Sequence, residues 1–250
     1  MNPLDPSVPP LIPEPKLPAV PSRETYAPIN NIGAIFDSLL RTPRRVVWHL
    51  QNHGGQGLLW KLVFLILMAA SAYGAIIGCF AMKDQLWIAP VKITGGLFVS
   101  TLICLPSLYI FATLNGARAR AADVIGLAAA FVALTMLLLI GFAPVAWIFS
   151  VSTESAVFMG GLHLGFWLVC LAFGFRFLWS ALELFEMRPG SGFQVWLIIF
   201  GLVTLQMTCA LRPIISGGPA FFPEKKLFFF SYWMQCLDES AAAAKPNPNP

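Results

Sequence analysis

The stretch Val124–Phe149 reads VIGLAAAFVALTMLLLIGFAPVAWIF and contains 26 residues without a charged side chain. At a rise of ~1.5 Å per residue, a helix of this length extends roughly 39 Å, which exceeds the ~30 Å hydrocarbon core of a bilayer. Four further apolar stretches of comparable length lie between Leu62 and Leu211. The sequence therefore predicts an all-α, polytopic membrane helix bundle with five transmembrane helices.

The predicted spans cover residues 58–82, 91–114, 124–150, 156–181 and 193–215. Pro106 lies inside the second span and Pro144 inside the third. A proline removes a backbone donor from a helix, so each of these spans is expected to kink. Because the connections are short, consecutive spans are expected to be antiparallel neighbours.

Composition agrees with a membrane protein and excludes a soluble globule. Apolar residues make up 57% of the chain and charged residues 11%, against roughly 25% charged residues in average soluble domains. No cluster of basic residues is long enough to favour nucleic acid as a partner. The lipid bilayer is the first partner that the composition implies.

The first 30 residues contain nine prolines and no apolar core of a signal peptide. Residues 1–30 are therefore predicted to be a disordered, proline-rich cytoplasmic tail, because they cannot bury enough apolar surface to offset the entropy of ordering. A PxxP ligand for a partner domain is the alternative interpretation of the same residues.

Residues 31–57 are predicted to form an amphipathic helix in the membrane interface. Asp37 and Arg41 have the i, i+4 spacing of an ion pair, Pro43 interrupts the pattern, and Arg44 and Arg45 follow it. The apolar residues with helical spacing on the other face are Ile32, Ile35, Phe36, Leu39 and Leu40. A packed cytoplasmic helix is the alternative interpretation of this segment.

Residues 216–239 follow the last predicted span and are rich in aromatic side chains. Phe229, Tyr232 and Trp233 suit a segment that lies in the interface or docks on protein. Residues 240–250 are of low complexity and are predicted to be a disordered tail.

Lysine and arginine near the spans predict the orientation. A cytoplasmic N-terminus places eight of them inside, namely Arg41, Arg44, Arg45, Lys61, Arg118, Arg120, Arg176 and Arg188. It places five outside, namely Lys83, Lys92, Arg212, Lys225 and Lys226. The sequence therefore predicts an integral membrane protein with the N-terminus in the cytoplasm and the C-terminus outside.

His163 is the ionisable residue that lies deepest in a predicted span, and Gly161 and Gly165 flank it. The GxxxG spacing favours a close helix contact, so packing is the preferred interpretation and proton or substrate handling the alternative. Gly74 and Gly78 form a second face of the same kind in the first span. All five residues are predicted packing or partner contacts.

Other polar residues give weaker indications. His49 and His53 have the i, i+4 spacing of two metal ligands but lack a third, and Glu183 and Glu186 stand too far from His163 to share a centre with it. The remaining polar candidates are Asp123, predicted to pair with Arg118 or Arg120, and Arg212, at the end of the polar stretch Thr204–Arg212. No catalytic motif is present, so the sequence predicts a protein that is not an enzyme, with no cofactor and no metal site.

The arrangement resembles the Yip family of Rab-interacting membrane proteins in its bacterial form, which implies the bacterial inner membrane as its location. The residues that carry the resemblance are Ala89–Ile93, Leu102–Tyr109, Gly141–Pro144 and Leu211–Pro213. The resemblance spans residues 31–237 and implies five closely spaced helices, an outside C-terminus and a role in membrane organisation or partner binding. Rab partners belong to the eukaryotic members and are not implied for this chain.

The leading functional hypothesis is a non-enzymatic scaffold or accessory subunit that binds membrane-protein partners or forms a homo-oligomer. Sparse charge inside the spans, small-residue faces and the aromatic C-terminal segment motivate it. The alternative is a small permease or channel with a cavity near His163 and Thr204–Arg212, using the kinks at Pro106 and Pro144. A membrane enzyme acting on lipid comes third. The residues that support it are Glu183 and Glu186, together with His49 and His53 at the cytoplasmic face.

Overall fold

The computed structural model describes residues 26–53, 56–81, 85–116, 119–153, 155–185, 190–210, 234–235 and 238. Within these residues the chain forms eight α-helices. They are α1 Ile32–Arg41, α2 Pro43–His53, α3 Gln56–Ala81, α4 Gln85–Leu114, α5 Ala121–Gly141, α6 Ala143–Ser152, α7 Ala156–Leu184 and α8 Ser191–Ala210. The predicted all-α class is confirmed by these elements.

Among the residues that the structure describes, four helices are long and apolar enough to cross a membrane, judged by length and composition. The qualifying segments are Gly57–Gly78 in α3, Ala89–Leu114 in α4, Ala121–Gly141 in α5 and Val157–Leu184 in α7. Shorter apolar segments, Ala143–Ser152 and Gly192–Met207, belong to α6 and α8. The four candidate membrane-crossing helices agree with the predicted membrane helix bundle, whereas the predicted number of five spans is not confirmed.

The predicted third span consists of two helices rather than one. The α5 helix ends at Gly141, α6 begins at Ala143, and Pro144 lies in the first turn of α6. A proline is tolerated there because the first backbone donors of a helix have no partner within it. The Phe142 N–H bonds back to the Leu139 carbonyl at 3.1 Å. By contrast, α4 remains one helix through Pro90 and Pro106.

The α5 helix is the centre of the bundle. Most of its apolar segment is buried, whereas α4 and α7 bury less than a third of theirs. It contacts α3, α4, α6 and α7 along its length, and α1 and α2 near its start. Gly174 of α7 allows the close approach of one neighbour, because a Cβ atom there would lie 2.5 Å from Thr135 Oγ1 and 2.8 Å from a ring carbon of Phe131.

The α1 and α2 helices cover one end of the bundle, which we call the α1–α2 end. Leu50 of α2 packs on Gly126 near the start of α5. The Gln51 side-chain amide donates to the carbonyl of Leu184, the last residue of α7, at 3.2 Å. The predicted segment 31–57 therefore forms two helices, separated at Thr42, with Pro43 starting the second.

The predicted terminal segments lie largely outside the described residues. Of the tail 1–30 the structure describes residues 26–30. Of residues 216–239 it describes 234, 235 and 238, and the tail 240–250 lies outside.

Candidate functional site

Buried polar side chains mark the places where the bundle departs from a plain apolar core. The hydroxyls of Ser38, Ser100, Thr135 and Thr204 each donate to a carbonyl four residues earlier in their own helix. Such bonds satisfy the hydroxyl locally and imply no ligand. His163 differs from these residues because its polar atoms reach beyond its own helix.

A hydrogen bond between Tyr73 and His163 joins α3 to α7 inside the bundle. The Tyr73 Oη atom lies 2.7 Å from His163 Nδ1, and the two rings meet edge to face with centroids 5.6 Å apart. Both side chains are buried, at 3% and 9% exposure respectively. The sequence prediction that His163 packs at a helix interface agrees with this geometry.

The second ring nitrogen of His163 is the unusual feature of the site. His163 Nε2 is buried and has no hydrogen-bond partner among the described residues. If Tyr73 donates to Nδ1, Nε2 carries an unpaired hydrogen; if Nδ1 donates, Nε2 is an unpaired acceptor. In either case one hydrogen-bonding position of His163 is left open inside the bundle. An unsatisfied buried polar group lowers the free energy of unfolding by about 1–3 kcal/mol.

The pair stands beside the break between α5 and α6. Phe166, one turn after His163, stacks on Phe142 with ring centroids 4.6 Å apart. The centroid of the Phe166 ring also lies 6.4 Å from that of His163. Cys170, two turns after His163 along α7, is also buried. The site therefore connects α3 and α7 to the residue at which the central helix is interrupted.

Hydrogen bonding is the chemistry that the described residues of this site provide. Within the described ranges, no three His, Cys, Asp or Glu side chains are grouped so that they could share a metal ion. No third polar side chain among the described residues hydrogen-bonds to the Tyr73–His163 pair and orients it as a base and nucleophile require. Its evident role is to hold α3 against α7.

Tyr73→Phe is expected to lower the free energy of unfolding by about 1–3 kcal/mol, because both nitrogens of His163 then lack a partner. The measurement is the thermal unfolding of the purified full chain in mild detergent. The double variant Tyr73→Phe/His163→Phe serves as control and is expected to lose less than the sum of the two single variants. Additive losses, or a Tyr73→Phe variant as stable as the wild type, would contradict the pairing.

The predicted glycine contacts divide into two groups. Gly74 and Gly78 are buried in α3, and a Cβ atom on Gly74 would lie 2.5 Å from Pro90 Cα in α4. Gly161 is partly buried, whereas Gly165 is exposed and no described atom lies within 4 Å of its Cβ position. Gly74 thus lies at a contact between two helices of this chain, whereas Gly165 lies on the outward side of α7.

Two of the weaker predictions concern histidine and aspartate at the α1–α2 end. His49 Nδ1 accepts a hydrogen bond from the Ile29 N–H at 3.3 Å, so it positions the chain before α1. Arg120 pairs with Asp123 at 3.2 Å, as predicted. The hydrogen bond from the guanidinium to that carboxylate raises the pKa of Arg120 above its ordinary value.

The remaining predicted residues are mostly outside the described part of the chain. Glu183 is exposed and accepts a hydrogen bond from Trp179 Nε1 at 2.9 Å. Residues outside the description are Arg118, Glu186, Arg212, Phe229, Tyr232 and Trp233, together with the side chain of His53.

Tyr73 is not predicted from the sequence as the partner of His163, although the similar depths of the two residues in their helices indicate this pairing. Tyr73 lies about 26 Å along α3 from Gln56, and His163 about 32 Å along α7 from Leu184, at ~1.5 Å per residue. Both distances start from the α1–α2 end, so the two polar groups lie at similar depth. The sequence predicts that Lys92 lies outside, at the start of the second span, yet this residue is 2% exposed within α4.

An apolar cavity of about 210 Å³ lies between α3, α4 and α5. Its lining is aliphatic and aromatic apart from Thr101, whose hydroxyl donates to the Leu97 carbonyl at 2.8 Å. Neither His163 nor Thr204 lines it. Its volume is below the roughly 300–1,000 Å³ of typical small-molecule sites.

Comparison of the chain with known protein families, with curated proteins and with solved structures gives no match. The resemblance to the Yip family therefore stays a prediction from the sequence.

Proposed function

We propose that the protein is a non-enzymatic scaffold or accessory subunit that binds another membrane protein through the outward side of α7. We call this side the α7 outer face. Its members follow one another at helical spacing and are Gly161, Gly165, Leu168, Ala172 and Arg176. Gly161 is partly buried and the other four are exposed.

The outward position of Gly165 is the observation that supports this proposal most. In a bilayer, helices associate through close van der Waals contact at small residues, because lipid is as apolar as the side chains. Close contacts of this kind occur inside the chain, where Gly74 packs against Pro90 and Gly174 packs against Phe131. No described residue packs against Gly165 in this way, so its surface suits a helix from another protein.

Arg176 adds a polar group to the α7 outer face. It is exposed, and no described residue forms an ion pair with it. It lies about 12 Å along α7 from Leu184, at ~1.5 Å per residue. An arginine in an apolar membrane costs about 2.5–3.5 kcal/mol at the bilayer centre, and less at the depth of Arg176, which is closer to the cytoplasmic end of α7. A partner carboxylate would relieve part of this smaller cost.

The proposal includes a fifth span and a defined orientation. The α8 helix covers Ser191–Ala210 and extends ~30 Å, which matches the hydrocarbon core. The α1–α2 end carries Arg41, Arg44, Arg45 and Arg120, which favours this end as the cytoplasmic one. With five spans the C-terminus lies outside, in the bacterial inner membrane, in agreement with the Yip resemblance.

The permease alternative finds less support around His163. Its imidazole packs against Tyr73 and Phe166, and its Nε2 atom is shielded from solvent. This is a filled contact between helices, whereas a transport path requires polar groups that line water or substrate. The scaffold hypothesis is therefore preferred.

Purification of the full chain from native membranes in mild detergent tests the proposal. The wild type is expected to elute with a membrane protein in a fixed ratio. Gly165→Leu is expected to reduce the bound partner about tenfold, which corresponds to ~1.4 kcal/mol. The reason is that the added side chain separates the two helix backbones.

Gly95→Leu is the matched control, since Gly95 is also exposed and has no described atom within 4 Å of its Cβ position, but lies on α4. This variant should retain the partner. A wild type that elutes as a monomer without any other protein would contradict the proposal, as would equal loss of partner in both variants.

A further inference from the structure

The α1 helix presents apolar side chains on two adjacent sides rather than on one. Ile35 and Leu39 face the bundle and are 0% and 1% exposed. The other three apolar side chains, Ile32, Phe36 and Leu40, follow one another at i, i+4 and i+8 and are 42–46% exposed. Packing against the bundle therefore accounts for only part of the apolar surface of this helix.

A polar side completes the helix. Asp37 and Arg41 form an exposed ion pair, with Arg41 Nε 3.1 Å from Asp37 Oδ1. On a helical projection, this pair lies next to the exposed apolar row and opposite the buried one. A helix with a protein-facing side, an apolar exposed side and a charged side has the distribution expected at a membrane surface.

The position of α1 places the exposed row where the membrane-crossing segments begin. The α1 helix contacts α3 and α5, and lies at the α1–α2 end of both. Trp60, in the second turn of α3, is 74% exposed. Tryptophan is enriched at the headgroup level of membranes, so its exposure here marks the same depth.

The charges around α1 favour an anionic surface. Residues 26–61 contain four cationic side chains, Arg41, Arg44, Arg45 and Lys61, and one carboxylate, Asp37. Arg45 Nε donates to the Ala27 carbonyl at 3.0 Å and Lys61 Nζ to the Asn30 carbonyl at 2.8 Å, so these two hold the chain before α1. Arg44 is exposed, and no described residue pairs with it.

We propose that α1 lies in the membrane–water interface and binds anionic phospholipid. Ile32, Phe36 and Leu40 enter the acyl-chain boundary, and the Arg44 guanidinium contacts lipid phosphate. Guanidinium and phosphate form bidentate, charge-assisted hydrogen bonds, which gives the surface its preference for anionic headgroups. This inference is independent of the α7 outer face, so either proposal can fail without the other.

The depth of the exposed row is the first test. Phe36→Cys is made in a full chain whose native cysteines are replaced by alanine, labelled with an environment-sensitive fluorophore and reconstituted into vesicles of phosphatidylcholine and phosphatidylglycerol. Quenching by a spin-labelled acyl chain, with little quenching by aqueous iodide, is the expected result. Quenching by iodide alone, or protection from both quenchers by a covering protein, would overturn the proposal.

The preference for anionic lipid is the second test. The melting temperature of the full chain is measured in nanodiscs of phosphatidylcholine with and without phosphatidylglycerol. Phosphatidylglycerol is expected to raise it in the wild type, and Arg44→Gln to remove most of that rise. Arg120→Gln is the control, because Arg120 is an exposed cation at the same end but pairs with Asp123, and it should keep the rise. An equal rise in all three proteins, or none in the wild type, would overturn the preference.

Discussion

Trp196→Ala is expected to lower the free energy of unfolding by about 3–5 kcal/mol, the range for removal of a large aromatic side chain from a core. Trp196 is 2% exposed. Its ring stacks on Phe193 with centroids 5.9 Å apart and on Phe200 with centroids 5.4 Å apart. Alanine would leave a cavity in this aromatic row, which the fixed helices around it can close only in part.

The indole also makes a polar contact that alanine cannot replace. Trp196 Nε1 lies 3.0 Å from Ser107 Oγ and 3.3 Å from the Cys104 carbonyl oxygen in α4. The Ser107 hydroxyl itself donates to that carbonyl at 2.8 Å. These groups flank Pro106, so Trp196 fixes α8 against the turn of α4 that contains the proline. Loss of the indole donor removes this connection as well as the ring contacts.

Thermal unfolding of the full chain in mild detergent measures the effect. Trp60→Ala is the matched control, because Trp60 is 74% exposed. This substitution is expected to change the free energy of unfolding by no more than about 0.5 kcal/mol. Trp196→Phe keeps a ring and loses the donor, so it should fall between the wild type and Trp196→Ala. Equal losses for Trp60→Ala and Trp196→Ala would contradict the described packing of α8.

Gly74→Ala is expected to cost about 3 kcal/mol, the upper part of the usual range for overpacking. A Cβ atom at this position would lie 2.5 Å from Pro90 Cα and 2.9 Å from Pro90 N. These are backbone atoms of α4, so they cannot rotate away, and the two helices would have to separate. The expected result is a lower melting temperature and a smaller folded fraction on size-exclusion chromatography.

Gly126→Ala provides a control with the same nominal clash. A Cβ atom on Gly126 would also lie 2.5 Å from its nearest neighbour, but that neighbour is Leu50 Cδ2, the end of a side chain that can change rotamer. The expected cost is at most about 1 kcal/mol, well below that of Gly74→Ala. A larger loss for Gly126→Ala than for Gly74→Ala would contradict the close contact between α3 and α4.

The sequence predicts the long helices well because the bilayer restricts their length and composition so strongly. The predicted spans 58–82, 91–114 and 156–181 correspond to α3, α4 and α7, with ends that differ by a few residues. The sequence predicts a kink at both Pro106 and Pro144, yet α4 continues through Pro106 whereas Pro144 lies in the first turn of a new helix. The break itself lies two residues earlier, at Phe142.

Contacts between helices are less accessible from sequence, because they depend on which sides of the helices meet. Hydropathy identifies His163 as a polar residue at depth, but it does not select Tyr73 among the other polar residues of the first span. The two GxxxG faces look equivalent in sequence, yet Gly74 contacts Pro90 while Gly165 faces outward. A spacing of small residues predicts a close contact without specifying its partner.

The sequence also does not specify what the apolar side chains of α1 contact. Its five apolar residues have helical spacing, and the sequence alone leaves a packed helix and an interfacial helix as alternatives. The structure divides them, with Ile35 and Leu39 buried and Phe36 exposed beside Ile32 and Leu40. One half of a broad apolar side can pack against protein while the other half contacts lipid, so the two interpretations are compatible.

Site-specific photocrosslinking in native membranes tests the central proposal, partner binding at the α7 outer face, most directly. A photoreactive amino acid replaces Leu168 on α7, which is 53% exposed, or Leu102 on α4, which is 69% exposed. Partner binding at the α7 outer face predicts a discrete protein adduct from position 168 and only lipid adducts from position 102. Lipid adducts alone at both positions, or the same protein adduct from both, would contradict it.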